Sequence, residues 1–198
     1  MSELTFDVGL AAKLKQAVIR NGIIDLADID WLCEGDNLAN VRRLRQGHVL
    51  LTVPEHLIDC DADLFNPWAK DGWTVDEHQK GGQWKFDPKQ VEFFLSSGQK
   101  GSKTIEGNKL RKELAGKPVL NANVLDYLLK NPHLIPEEWK KDAQGNTRYI
   151  FFWGTVYRDR GGSLYVRCLD WSDGSWDWSI SWLDGRWDGD NPAAVRAS

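Results

Sequence analysis

Apolar and polar side chains alternate through three segments near the end of the chain, at residues 149–158, 163–171 and 175–183. Alternation with a period of two is typical of β-strands that bury one face. Short turn sequences separate the segments, and one of them, Asp173-Gly174, is a strong hairpin signal. We therefore predict an antiparallel, Trp-rich β-meander with a short fourth segment around Trp187.

The turn at Asp173-Gly174 also predicts which side chains share a face of this meander. If it is a two-residue turn, Ser172 lies opposite Ser175, and the pairing extends outward from there. The predicted pairs are Trp171 with Trp176, Leu169 with Trp178, Arg167 with Ile180, and Tyr165 with Trp182. Gly185 makes Trp187 the neighbour of Trp182, so five tryptophans are expected on one side of the sheet.

The orientation of the first segment depends on the length of the loop at residues 159–162. A loop of two or four residues places Phe152, Gly154 and Val156 on the tryptophan side, whereas a three-residue loop turns the strand over. We expect the first arrangement, in which Gly154 leaves room for Arg167 across the sheet.

Cap residues and apolar periodicity predict three helices in the middle of the chain, starting at Pro88, Lys109 and Val124. Residues 73–78 and 83–86 are predicted to pair as a hairpin. We expect the helices to pack on the tryptophan side of the meander. The fold class predicted for residues 66–198 is therefore α+β.

Residues 1–54 are predicted to form a separate, small N-terminal segment of three helices. Apolar residues recur at helical spacing after Phe6, and Asp25 and Asp36 are placed to cap two further helices that end in glycine. Three short helices with tight turns are compatible with a helix-turn-helix. We place the internal boundary in the irregular stretch from Glu55 to Gly72.

The charge of the chain disfavours a nucleic-acid partner. Its 198 residues carry a net charge of −4, which provides no basic field for attracting phosphates. One basic cluster, Arg42, Arg43 and Arg45, would resemble the recognition helix of a DNA-binding regulator. Because several acidic residues lie just before it, we favour a solvated helix surface over a nucleic-acid site.

The start of the chain has acidic residues where a signal peptide needs basic ones, and no apolar run has the length of a membrane span. The three cysteines, Cys33, Cys60 and Cys168, are far apart, which suits a reducing compartment better than a disulfide framework. We expect a cytoplasmic protein without membrane contact.

The predicted tryptophan side is too large to remain in water. Five tryptophans of about 150 to 250 Å² each far exceed the few hundred Å² of apolar patch that monomers usually expose. We favour coverage by helices as a core. The alternative is a partly open groove at Trp176, Trp182 and Trp187 for a sugar, a base or a partner side chain.

Arg167 lies in the middle of this predicted face. A buried guanidinium requires a carboxylate partner or an aromatic ring on which to stack. It is therefore either part of a structural contact of this kind, which we favour, or the anchor for a ligand carboxylate or phosphate. The candidate ligand-binding residues are Arg167, Trp176, Trp178, Trp182 and Trp187.

Motifs for metal binding and catalysis are rejected. Asp59, Asp61 and Asp63 imitate the start of a calcium loop, but Leu64 occupies the position that requires glycine. His56 and Cys60 are four residues apart without a further ligand cluster. We predict no metal and no cofactor, and we identify no catalytic residue.

These patterns favour a non-enzymatic binding or interaction module whose partner is a protein, a second copy of the chain or a small ligand. One alternative is a DNA-binding regulator that uses the N-terminal helices. The other is a hydrolase or transferase with a Trp-lined pocket, since carboxylates from distant segments can converge in a fold.

Two blocks of sequence resemble a family of small bacterial proteins. One is the helical block LNANVLDYLLKNPHLIPEEWK at residues 120–140, and the other is IFFWGTVYR at residues 150–158, followed by VRCLDW and NPAAVRAS. The resemblance covers residues 84–198 and implies a bacterial or phage-derived cytoplasmic setting, with both blocks in one unit. It implies no activity and no site residues.

Overall fold

The computed structural model describes residues 56–197, together with Ala39, Arg42 and Gln46. The chain divides into two units, Met1–Pro54 and Glu55–Ser198. The predicted three-helix segment therefore lies outside the described residues, apart from those three positions.

The second unit is a mixed structure of strands and helices, so the predicted α+β class is confirmed for residues 56–197. Its strands are β1 (Leu57–Asp59), β2 (Thr74–His78), β3 (Gln83–Lys85), β4 (Val91–Phe94), β5 (Ile105–Glu106), β6 (Ile150–Phe151), β7 (Thr155–Arg158), β8 (Leu164–Ser172), β9 (Ser175–Trp182), β10 (Arg186–Trp187) and β11 (Ala193–Arg196). Its α-helices are α1 (Gly107–Leu114) and α2 (Ala122–Lys130). Single 3-10 turns lie at Ala69–Asp71, Pro88–Gln90, Ser97–Gln99, Pro132–Leu134 and Glu137–Trp139. None of the described helices is long and apolar enough to cross a membrane.

Seven strands form one sheet around β8. Strand β9 pairs with one side of β8, while β6 and β7 pair with its other side, one after the other. Strand β7 also pairs with β2. Strand β6 pairs in parallel with β11, which in turn pairs with β4. The pairs β1–β3 and β5–β10 are separate two-stranded sheets.

The predicted hairpin of β8 and β9 is confirmed in every pair. Ser172 faces Ser175, and the pairing continues to Tyr165 and Trp182 without a shift. Asp173 and Gly174 have φ angles of 50° and 83°. Positive values at both central residues are typical of the two-residue turn that matches the twist of the flanking strands.

The first strand of the meander differs from the prediction because it is interrupted. Arg158 pairs with Leu164, and the amide of Asp159 donates to the carbonyl of Ser163, which leaves a three-residue loop. That loop turns β7 over, so Tyr157 instead of Val156 shares a side with Tyr165. The register of β6 is offset from that of β7, which returns Phe152 to the predicted side.

Two predictions for residues 73–98 are wrong. The Asp87 side chain accepts from the amide of Lys89 and caps the start of a helical segment, as expected. That segment is a single 3-10 turn instead of the predicted helix, and it is followed by β4, which pairs with β11. Phenylalanine and valine are favoured in strands, and this long-range pairing outweighs the local helix signal. The predicted hairpin is also absent, since β2 pairs with β7 and β3 with β1.

The central strands of the sheet are buried on both sides, with one helix on each. We call the side that carries Arg167 and Trp178 the aromatic face, and the other side the reverse face. Helix α2 packs with Phe152 and Leu169 on the aromatic face. Helix α1 packs on the reverse face with Val166, so it does not cover the tryptophans as predicted.

Candidate functional site

The Arg167 side chain is buried on the aromatic face and makes both structural contacts considered for it. Only 1% of the surface of Arg167 is exposed to solvent. The Nη2 atom lies 2.8 Å from Oδ1 of Asp126 on α2, and the guanidinium carbon lies 4.3 Å from the ring centre of Trp178. The amphipathic pattern of α2 produces this pair, because it buries one helix side and places Asp126 at the edge of that side.

Part of the guanidinium has no partner within the described residues. The Nε and Nη1 atoms of Arg167 are buried without a hydrogen bond, and so is the hydroxyl of Tyr157. Burial raises the pKa of Tyr157, and the charge of nearby Arg167 offsets part of that rise. The group is therefore a fixed positive charge with spare donors. Gly154, expected to make room for Arg167, instead lies against the backbone of Asn121.

Aromatic rings extend from Trp178 toward one end of the hairpin. The Trp178 ring is 5.2 Å from that of Trp68, which stacks on Trp73 at 4.7 Å. Trp73 in turn lies 4.8 Å from Tyr165. The sequence interpretation left Trp68 in an irregular stretch and placed Trp73 at the start of a predicted hairpin strand, so it assigned neither to this group of rings. The available signal was Asn66, whose side chain ties the two tryptophans into one loop.

The other end of the hairpin carries a second group of rings. Trp171 and Trp176 are 5.4 Å apart, and the ammonium of Lys140 lies 3.3 Å above the Trp171 ring centre. Back at the first end, Trp182 lies opposite Tyr165 and is 47% exposed. We call these rings together the aromatic strip: Trp68, Trp73, Tyr165, Trp171, Trp176, Trp178 and Trp182.

Trp187 does not belong to the aromatic strip, contrary to the prediction. It is 1% exposed and lies 4.3 Å from Phe151 and 4.8 Å from Trp153, ring centre to ring centre, on the reverse face. After Trp182 the chain turns away from β9, and β10 pairs with β5 instead. Trp187 is therefore a core residue of the reverse face.

The reverse face of the hairpin holds a small polar cluster. Cys168 Sγ lies 3.0 Å from Ser179 Oγ, and that hydroxyl donates to Oδ2 of Asp170 at 3.0 Å. Burial raises the pKa of Cys168 to about 12, so the thiol stays protonated at neutral pH. Burial also raises the pKa of Asp170. A protonated buried thiol is a poor nucleophile, which disfavours covalent catalysis here.

A cavity of about 250 Å³ lies beside the start of α2, lined among others by Cys60, Trp84 and Arg196. Asn121 donates from Nδ2 to the carbonyls of Cys60 and Gln79, while its Oδ1 is buried without a partner. Across residues 56–197, no group of three or more His, Cys, Asp or Glu side chains could hold a metal ion.

The basic cluster predicted near the start of the chain is described at one position. Arg42 is exposed in a helical turn, and its carbonyl accepts from the amide of Gln46 at 3.0 Å. Arg43 and Arg45 lie outside the described residues.

Compared with family models, with curated proteins and with solved structures, the chain matches none of them.

Proposed function

We propose that the chain is a non-enzymatic binding module that holds a partner protein or a small ligand against the aromatic strip. One observation carries the proposal: Trp182 lies on a regular strand and keeps 47% of its surface exposed. Tryptophan is enriched among the residues that dominate binding energy, since it brings a large contact area at a low entropic cost.

The surroundings of Trp182 support this proposal because they hold the neighbouring rings in place. Trp178 packs between the guanidinium of Arg167 and the ring of Trp68. Tyr165, opposite Trp182, contacts Trp73. A surface whose side chains are already ordered loses less entropy on binding.

Iodide quenching of tryptophan fluorescence tests whether this surface is open. We expect partial quenching in the wild type, and Trp182→Ala should have less quenchable emission than the wild type. Tyr149→Ala is the matched control, since Tyr149 is a 38% exposed aromatic residue that precedes β6, on the far side of β8. Emission that iodide does not quench at all contradicts the proposal.

A protection version of the same experiment tests binding. Soluble oligosaccharides, nucleotides and short peptides are added in turn, and quenching by iodide is measured again. Protection that disappears in Trp182→Ala supports the proposal, whereas failure of all three classes to protect contradicts it. Binding of random duplex DNA that Trp182→Ala leaves unchanged would instead favour the DNA-binding regulator.

A further inference from the structure

The outer edge of β9 presents backbone groups that no strand in the described part of the chain pairs. The amide of Leu183 donates to the carbonyl of Leu164 in the β8–β9 register. Because hydrogen-bonded pairs alternate along an antiparallel ladder, the odd-numbered residues of β9 face β8. The N–H and C=O groups of Trp176, Trp178 and Ile180 therefore point outward.

One of these outward groups is satisfied by a side chain. Oδ1 of Asp177 accepts from the amide of Trp178 at 2.7 Å, in the middle of the edge. Charged residues commonly protect edge strands from unwanted pairing. If a carbonyl from another strand replaced this carboxylate, the amide of Trp178 would keep a hydrogen bond and the Asp177 side chain would return to solvent.

The negative charge around the hairpin favours a basic partner over a second copy of the chain. Residues 168–192 contain six aspartates and one arginine. A second copy of the chain would bring two such acidic segments together, whereas a basic partner is attracted to them. The rings of the aromatic face already bind cations, as Lys140 on Trp171 and Arg167 on Trp178 show.

We propose that the outer edge of β9 binds an extended basic peptide as an added antiparallel strand, with Lys or Arg at alternate positions beside the tryptophans. A peptide residue opposite Trp178 turns its backbone groups toward β9 and its side chain toward the aromatic face. The intervening peptide residues lie beside Asp177 and Ser179, where small polar side chains fit. The inference rests on the proposed function and names the partner of the same surface.

The test uses the full-length chain and a capped octapeptide that alternates Lys and Thr, with binding measured by protection from iodide. Methylation of the Lys amides removes the donors that face β9, so we expect binding to weaken about tenfold or more. Methylation of the Thr amides, which face away, is the matched control and should leave affinity nearly unchanged. A peptide that alternates Glu and Thr should not bind.

Variants of the chain complete the test. Trp182→Ala should weaken binding of the Lys peptide about tenfold, while Tyr149→Ala should not change it. Equal effects of the two methylated peptides, or equal binding of the Glu peptide, overturn the inference. Protection by an oligosaccharide or a nucleotide but not by the Lys peptide also overturns it and leaves the proposed function intact. A dimer detected by light scattering and lost in Trp182→Ala would overturn it in favour of a second copy.

Discussion

Among single side chains, Arg167 has the most demanding environment, because its charge is buried with one carboxylate partner. The side chains of Arg167 and Asp126 are 2% and 16% exposed. The sequence predicted that Arg167 needs a carboxylate or a ring, since a buried guanidinium has few alternatives. It did not identify Asp126, because that contact depends on how α2 lies across the sheet.

We expect Asp126→Asn to lower the free energy of unfolding by about 3 kcal/mol, since it leaves the buried guanidinium without a counter-charge. Urea denaturation measures this change. The control is Glu137→Gln, which breaks the exposed ion pair with Lys140 and should cost about 0 to 1 kcal/mol. The double variant Arg167→Met, Asp126→Leu should recover much of the loss. A cost for Asp126→Asn no larger than that of the control would contradict the buried-pair interpretation.

Asp170 should make stability depend on pH in the direction opposite to an ion-paired carboxylate. Burial raises its pKa in the folded state, so its contribution is fully present below the usual carboxyl pKa and is lost as pH rises through the raised value. Asp170→Asn removes this dependence. We expect the variant to gain stability relative to wild type as the pH rises above about 4, the usual carboxyl pKa.

Urea midpoints at several pH values measure this difference for Asp170→Asn. Asp173→Asn, at the exposed turn with positive φ, is the matched control and should change the urea midpoint little, because Asn tolerates that conformation. If the difference in urea midpoint between Asp170→Asn and wild type shrinks as the pH rises, the pKa of Asp170 is not raised by folding.

Among the strands and helices, those with local signals were predictable and those with distant partners were not. The β8–β9 register follows from Asp173-Gly174 alone. The break between β6 and β7 does not follow from the local sequence, because it accompanies contacts with remote segments. The amide of Gly154 donates to the carbonyl of Leu120, and the carbonyl of Gly154 accepts from the amide of Gln79. The same reason explains β4, which Asp87 and Pro88 suggested as a helix.

The close approach at Gly154 gives a prediction for this break. A methyl group there would lie 2.9 Å from Cβ of Asn121 and 3.0 Å from its Cα and N, so Gly154→Ala should cost roughly 1 to 3 kcal/mol in unfolding free energy. Gly189→Ala meets its nearest atom, the Gln99 carbonyl oxygen, at 3.4 Å and should change stability by less than about 0.5 kcal/mol. Thermal and urea unfolding of both variants make the comparison, and equal stability would show that Asn121 yields easily.

Across the described unit, the sequence predicted a tryptophan core or a tryptophan surface, and the structure contains both. Trp187 is enclosed on the reverse face, whereas Trp182 is half exposed on the aromatic face. Counting along the chain could not separate them, because the turn after Trp182 leads into β10, which pairs with β5, a strand far away in sequence. The two helices likewise divide between the faces instead of sharing one.

The break between β6 and β7 divides the large sheet into two halves. Strands β2 and β7 lie in one half of the large sheet, and β6, β11 and β4 lie in the other. In the described residues, only β8 bonds to both halves and to β9. Strand β8 therefore holds the two halves of the sheet together, and its amides should be among the last in the sheet to exchange with solvent deuterium.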